Sequence, residues 1–391
     1  MKVAIYGVGN YGQYIYHEIA DNVHTKISVA LWIDNFQRKK AGFMKEPEVC
    51  GLPVYTEERF FIDKKYQEID AVIVAIDDKH TAEEITVSLL LHGFDLIYLA
   101  LSNGFRPKVP ILNENGDFDS GIKFYKQIKP SIGVGGGEII NFLVTDYCNL
   151  NCKRCGNFSN LAKEKNCLDL HKFENWLNHL RKKFRIVQNI ELLGGEPLLN
   201  PQLEQYVRLV RKYFPETKIV IVTNGLLILN INQALIDAMV SCNASFYISQ
   251  YVPTRKRLRE IIRFLENNEI NYDISELITQ FERPLTLKEQ DGKKAYRTRF
   301  RGDCQCYTIE QGRIGCPVMI TFYQHQDYFN IHIGEDELGR STIDITGDDI
   351  DGWDILKYCK QPNPLCRYCN PRIENEVWET GEPQKEEWFS I

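Results

Sequence analysis

The chain has 391 residues, a formal net charge of −6, 43% hydrophobic and 26% charged residues. That length suits two or three domains better than one small core. The acidic balance, without a long basic run, argues against a broad phosphate-binding surface and so against a nucleic-acid partner.

No apolar run approaches the roughly 18 residues of a membrane span, so no membrane partner is expected. The opening Met-Lys-Val-Ala-Ile-Tyr-Gly-Val-Gly reads as a strand and glycine turn, not a signal peptide. Twelve cysteines, clustered at C-x3-C and C-x2-C spacings, read as metal ligands in a reducing compartment. The expected location is therefore cytoplasmic.

Residues 1–105 alternate strand and helix. Residues 3–6 are an apolar strand, followed by Gly7-Val8-Gly9-Asn10-Tyr11-Gly12, a G-x-G-x-x-G turn. A helix carrying Ile15 and Ile19 follows, then a strand over 27–33 that ends at Asp34. Strands at 71–76 and 96–101 flank a helix at 81–91. This order predicts parallel βαβ units in a Rossmann-like sheet. Gly7, Gly9 and Gly12 suit a pyrophosphate at a helix N-terminus, and Asp34 suits a ribose hydroxyl. A nucleotide or NAD(P) is the ligand this pattern fits; a fold whose glycines only pack is the alternative.

Residues 106–137 hold Pro107, Pro110, Pro130 and the run Gly133-Val134-Gly135-Gly136-Gly137. They read as a linker. The glycine run lacks the lysine and hydroxyl of a phosphate loop.

From 138 to 296 strand and helix alternate again. An apolar strand at 139–144 leads into Asp-Tyr-Cys-Asn-Leu-Asn-Cys-Lys-Arg-Cys, which places Cys148, Cys152 and Cys155 in a C-x3-C-x2-C run. Three thiolates on one tight loop can hold three irons of a cubane cluster and leave the fourth iron open. A zinc knuckle or three unrelated buried thiols are the alternatives. Phe173, Trp176, Leu177, Leu180 and Phe184 form one helix face, and Leu203, Tyr206, Val207, Val210 and Phe214 another. Further strands are expected near 188–193, 218–222, 244–248 and 271–274. Gly194-Gly195-Glu196-Pro197, Thr223-Asn224-Gly225 and Ser249 each follow one of them. In parallel barrels the strand C-termini share one rim.

Residues 297–391 carry Cys304, Cys306, Cys316, Cys359, Cys366 and Cys369. Cys306, Cys316, Cys366 and Cys369 make a four-ligand set, with Cys304 as an alternative first ligand. A closed zinc site has the same ligand spacing.

The cysteine run, the Gly-Gly-Glu-Pro turn, Thr223-Asn224-Gly225 and Ser249, in that order, resemble the radical S-adenosylmethionine (SAM) superfamily over roughly 138–391. The resemblance implies an α/β fold: a Rossmann-like domain, then a partial (β/α)6 barrel, then a small cysteine-rich Twitch/SPASM-like extension. It implies a [4Fe–4S] cluster on Cys148, Cys152 and Cys155, with SAM against Gly194, Gly195, Glu196, Pro197, Thr223, Asn224 and Ser249. It also implies an auxiliary [4Fe–4S] cluster on the C-terminal cysteines. Arg154 departs from the family, which usually has an aromatic residue there; a guanidinium can also stack on adenine.

The implied activity is reductive cleavage of SAM to a 5′-deoxyadenosyl radical that takes hydrogen from a small polar substrate. A sugar, nucleotide-sugar or cyclitol is expected, undergoing dehydrogenation or epimerisation by an oxidoreductase or isomerase. A flavodoxin or ferredoxin would donate electrons. A SPASM-type peptide-modifying maturase and a non-catalytic Fe–S or nucleotide sensor are the alternatives.

Overall fold

The computed structural model describes residues 1–35, 48–100, 111–133, 139–288, 290–300, 307–372 and 374–390. They fall into two compact units, Met1–Pro130 and Ser131–Ile391. Among the described residues, no helix is long and apolar enough to cross a membrane.

The first unit contains β1 (Lys2–Tyr6), α1 (Asn10–Ala20), β2 (Ser28–Ile33), β3 (Glu48–Val49), β4 (Leu52–Tyr55), α2 (Glu57–Ile62), β5 (Ala71–Val74), α3 (Lys79–Leu91), β6 (Ile97–Ala100) and β7 (Ile122–Phe124). Its sheet runs β3-β4-β2-β1-β5-β6-β7. The five inner strands are parallel, and β3 and β7 are antiparallel edges. Val3 to Tyr6 and Ala71 to Val74 are buried on both faces, so these central strands are continuous apolar runs. Two of the helices, α2 and α3, start on side-chain caps: Thr56 accepts from the Arg59 N–H, and Asp78 from the Thr81 N–H.

The chain leaves β1 toward β2 and β4, then returns to the other side of β1 at β5. This is the doubly wound order, with its switch point between β1 and β5. Gly7 lies there with φ +109°, and an added Cβ would sit 2.7 Å from the Ala75 carbonyl oxygen. A Cβ on Gly12 would sit 1.9 Å from the Gly7 carbonyl oxygen. Both glycines are therefore demanded by backbone packing alone. A Cβ on Gly9 would meet nothing within 4 Å.

The stretch read as a linker over 106–137 is largely structural where it is described. Residues 111–130 belong to the first unit, and Ile111, Leu112 and Ile122 are buried in its core. Thr25 donates its hydroxyl to the Gly116 carbonyl at 2.8 Å, which pins the Asn113–Asp119 turn. Turn residues hid an edge strand whose own apolar pattern is only three residues long. Residues 101–110 and 134–138, with most of the glycine run, lie outside the described residues.

The second unit contains β8 (Ser131–Ile132), β9 (Ile140–Thr145), α4 (Leu170–Lys183), β10 (Ile186–Val187), β11 (Asn189–Gly194), α5 (Leu203–Tyr213), β12 (Lys218–Thr223), α6 (Gln233–Ser241), β13 (Ala244–Ile248), α7 (Val252–Asn267) and β14 (Asn271–Ile274). It continues with β15 (Gln280–Glu282), α8 (Gly292–Phe300), β16 (Thr308–Glu310), β17 (Arg313–Gly315), α9 (Pro317–Gln324), α10 (Gln326–Phe329), α11 (Glu335–Arg340), β18 (Ile343–Asp344), α12 (Gly352–Cys359) and β19 (Asn375–Val377). The main sheet runs β14-β13-β12-β11-β9-β16-β17-β18. From β14 to β16 all six strands are parallel.

The helices pack by the faces the spacing predicts. On α4 the buried residues are Phe173, Trp176, Leu177, Leu180 and Lys183; on α5 they are Leu203, Tyr206, Val207 and Val210. Phe173 meets Phe142 of β9 edge-on at 4.8 Å and Tyr206 at 4.9 Å. The fold is thus mixed α/β, as expected, but its sheet is open. The sixth parallel strand also differs in origin. β16 comes from the segment read as the C-terminal extension and pairs on the far side of β9 from β11, so that extension shares the main sheet.

Gly12→Ala should lower the stability of the first unit by about 1–3 kcal/mol, since the added methyl has no space. Gly9→Ala, whose methyl meets open space, should cost less. Thermal denaturation of both variants checks this; equal losses would contradict the packing account.

Candidate active site

The cysteine run begins three residues beyond β9. Asp146 closes the base of its loop by accepting from the Asn166 N–H at 3.0 Å and its side-chain amide at 3.1 Å. Asn151, Arg154 and Phe158 have φ of 46°, 58° and 51°. Three left-handed residues so close together are unusual and coil the loop tightly. Cys152 is buried, and Cys148 and Cys155 are half-buried. Burial pushes the Cys148 thiol up to about 11 and the Cys152 thiol to about 12, and the neighbouring cysteines add to both shifts. Such thiols are poor nucleophiles at neutral pH; a bound cation would be needed to deprotonate them.

The glycine turn after β11 fits against this loop. Gly194 has φ +138°, and its Cβ would lie 2.1 Å from the Thr145 carbonyl oxygen. A Cβ on Gly195 would lie 1.9 Å from the Tyr147 carbonyl oxygen. The Gly195 and Glu196 N–H groups donate to those two carbonyls, each at 2.9 Å. Only a residue pair without side chains allows this approach. Pro197 opens a short 3-10 turn, Pro197–Leu199.

Glu196 is fully buried. Its Oε1 accepts from the Thr223 hydroxyl at 2.6 Å and the Leu198 N–H at 3.1 Å, and its Oε2 from the Asn224 N–H at 2.9 Å. Burial raises its pKa while these three donors oppose the shift. The carboxylate therefore acts as a brace between the ends of β11 and β12. The Asn224 amide nitrogen donates to Asn149 Oδ1 at 2.7 Å and approaches Cys148 Sγ at 3.8 Å. The Ser249 N–H donates to the Thr223 carbonyl at 2.9 Å. Cys148, Glu196, Thr223, Asn224 and Ser249 are thus joined at the C-terminal ends of four adjacent parallel strands.

Sequence spacing did not reveal what closes the loop from the other side. Trp378 donates its indole N–H to Cys152 Sγ at 3.3 Å, and its ring lies 5.2 Å from that of Tyr251. The Lys153 N–H donates to the Glu379 carbonyl at 2.9 Å, and the Gly381 N–H to the Asn151 carbonyl at 3.1 Å. Trp388 donates to the Cys155 carbonyl at 2.9 Å and stacks on Phe158 at 5.6 Å. Arg154 is buried, with its guanidinium bonded to the Val377 carbonyl and its Nε without a partner. Residues 377–388 therefore form a strap over the cysteine loop. The one available signal was two tryptophans in an otherwise polar stretch.

These residues fit a cluster with one open iron. Three thiols share one coiled loop, and the glycine turn keeps side chains away from its base.

In the C-terminal set, Cys316 precedes α9, while Cys366 and Cys369 lie in and after the 3-10 turn Pro364–Tyr368. Cys316 and Cys369 pack against the core cluster that contains Phe322 and Leu365. A Cβ on Gly292 would lie 3.1 Å from the Arg367 nitrogen, so α8 crosses close over that turn. Cys304 and Cys306 lie outside the described residues. Cys359 is buried on α12, and its carbonyl accepts from the Tyr296 hydroxyl at 3.4 Å. In the first unit, Asp34 Oδ2 accepts from the Val8 N–H at 2.9 Å, which commits one carboxylate oxygen to the glycine turn.

Trp378→Phe keeps an aromatic ring but removes the hydrogen bond to Cys152. A donor to a cluster thiolate raises the reduction potential. The variant should therefore have a potential lower by roughly 40 mV, the one-electron equivalent of about 1 kcal/mol. An anaerobic redox titration followed by electron paramagnetic resonance reads it. An unchanged potential at full iron loading would contradict the role given to the indole.

Residues 142–279 match the family model described as the radical SAM superfamily. The chain is 31% identical over 111 residues to the GTP 3′,8-cyclase of Sulfurovum sp. (strain NBC37-1), covering 27% of this chain and 33% of that protein. It thus spans about a third of the length of the curated relatives it matches. Among solved structures, BtrN in complex with AdoMet and 2-DOIA is 21% identical, covering 36% of this chain and 56% of the other, with a TM-score of 0.28. Histidine-tagged anSMEcpe with bound AdoMet is 17% identical, covering 36% of this chain and 44% of the other, with a TM-score of 0.30. The radical SAM superfamily uses a [4Fe–4S] cluster and S-adenosylmethionine. The segment that carries the cysteine loop, the glycine turn and the brace of Glu196 is a radical SAM domain.

Proposed function

We propose that this protein is a radical SAM enzyme that removes hydrogen from a small polar substrate. The observation that carries the reading is the joined set Cys148, Asn224, Glu196 and Thr223 on one rim. Cys148, Cys152 and Cys155 would hold the cluster; Gly194 and Gly195 by their backbone, with Asn224 and Ser249, would hold SAM. When bound and reduced, the pair supplies a carbon radical able to take a hydrogen atom from an unactivated C–H bond. The protein's part is positional. Glu196 fixes two strand ends, Asn224 reaches the first cysteine, and the strap bonds to the loop backbone.

A sugar, nucleotide-sugar or cyclitol is the substrate class, with dehydrogenation or epimerisation as the outcome. The domain fusion supports this: the first unit is a doubly wound sheet, and Gly9 leaves its turn open. An auxiliary [4Fe–4S] cluster on Cys316, Cys366, Cys369 and Cys306 or Cys304 would take the electron that a dehydrogenation releases. Cys316 and Cys369 packing on one core supports that assignment. A flavodoxin or ferredoxin would deliver the initiating electron.

Anaerobic reconstitution, followed by dithionite and SAM, should yield 5′-deoxyadenosine and about eight irons per chain. Cys148→Ala should abolish 5′-deoxyadenosine and leave about four irons. No 5′-deoxyadenosine from fully loaded wild type would contradict the function.

A further inference from the structure

A cavity of about 1050 Å³ opens beside the glycine turn, at the C-terminal ends of β9 and β16. Its wall includes Gly194, and also Asn157, whose side-chain amide donates to the Gly194 carbonyl at 2.7 Å. The cavity therefore shares a wall with the proposed SAM site. None of the three loop cysteines, Asn224 or Ser249 lines it. It is large enough for a ligand of sugar size or more.

One side chain on the wall points to a ligand: Glu310, at the end of β16. Burial pushes its carboxyl up to about 7; Asp146 adds to the shift, and a Gln324 hydrogen bond and Lys172 oppose it. Nothing in the radical SAM motif requires a desolvated carboxyl at this place.

The charges on the wall select the ligand. Acidic side chains outnumber the two lysines, Lys163 and Lys172. His325, also on the wall, is pushed toward its neutral form by burial. The field is thus net negative, which disfavours phosphate and carboxylate and favours hydroxyls and amines.

Resting on the radical SAM reading, we propose that this cavity is the substrate site and that it takes an amine-bearing or uncharged polyol, not a phosphorylated one, with Glu310 as its hydrogen-bonding anchor. The site narrows the substrate class: a free aminosugar or aminocyclitol fits it, and a nucleoside triphosphate or nucleotide-sugar does not.

The test is anaerobic equilibrium dialysis of the reconstituted full chain with radiolabelled glucosamine and, separately, glucosamine 6-phosphate, two probes that differ by one phosphate. Glucosamine should bind saturably and at least tenfold tighter than its phosphate. Glu310→Gln should weaken glucosamine binding fivefold or more, with iron content and the far-ultraviolet spectrum confirming that the variant folds. Absence of saturable glucosamine binding, equal or tighter binding of the phosphate, or unchanged affinity in Glu310→Gln would overturn the proposal. Selective binding by a protein that forms no 5′-deoxyadenosine would leave the cavity assignment standing and sink the radical reading instead.

Discussion

The structure depends on holding three thiols, one buried and two half-buried, on a loop that has no regular secondary structure of its own. A loop of this kind loses conformational entropy when ordered. Here the compensation comes from two sides. The glycine turn after β11 donates two N–H groups to the carbonyls of Thr145 and Tyr147. The strap over 377–388 bonds to Asn151, Cys152, Lys153, Arg154 and Cys155. The loop is thus clamped between a turn set by the main sheet and a segment from the far end of the chain.

Glu196 shows how the constraint spreads. Its buried carboxylate commits its acceptor capacity to Thr223, Leu198 and Asn224, so the ends of β11 and β12 are fixed together. Thr254 then donates to the Asn224 carbonyl at 2.6 Å, tying the start of α7 to the same point. A buried carboxylate is tolerated only when its oxygens are satisfied in this way. The consequence is geometric: Asn224 reaches the first cysteine from a position that several elements define. The sheet register places these groups on one rim because parallel strands end together.

What was legible in the amino-acid sequence was local. Cys148, Cys152 and Cys155 lie within eight residues, and Gly194-Gly195-Glu196-Pro197 is contiguous. The helix faces of α4 and α5 follow from a 3.6-residue period that needs no knowledge of partners. The strap was not legible, because Trp378 and Cys152 are 226 positions apart and their contact leaves no periodic trace. Nor was β16 legible as a main-sheet neighbour of β9: a three-residue strand in a cysteine-rich segment carries no sign of what it pairs with. The same limit hid Glu310, which lines its cavity with residues from distant segments. In the first unit the glycine fingerprint was visible, yet packing accounts for Gly7 and Gly12, so the motif alone overstates the case for a ligand there.

The central claim is that the clamped loop holds a four-iron cluster with one iron left for SAM. Mössbauer spectroscopy of the protein reconstituted with 57Fe, with Cys306, Cys316, Cys366 and Cys369 replaced by alanine to isolate this cluster, tests it most directly. On adding SAM, one iron in four should acquire a distinct isomer shift while three stay alike. Four irons that remain equivalent with SAM present, or a loop that loads zinc instead of iron, would contradict the account.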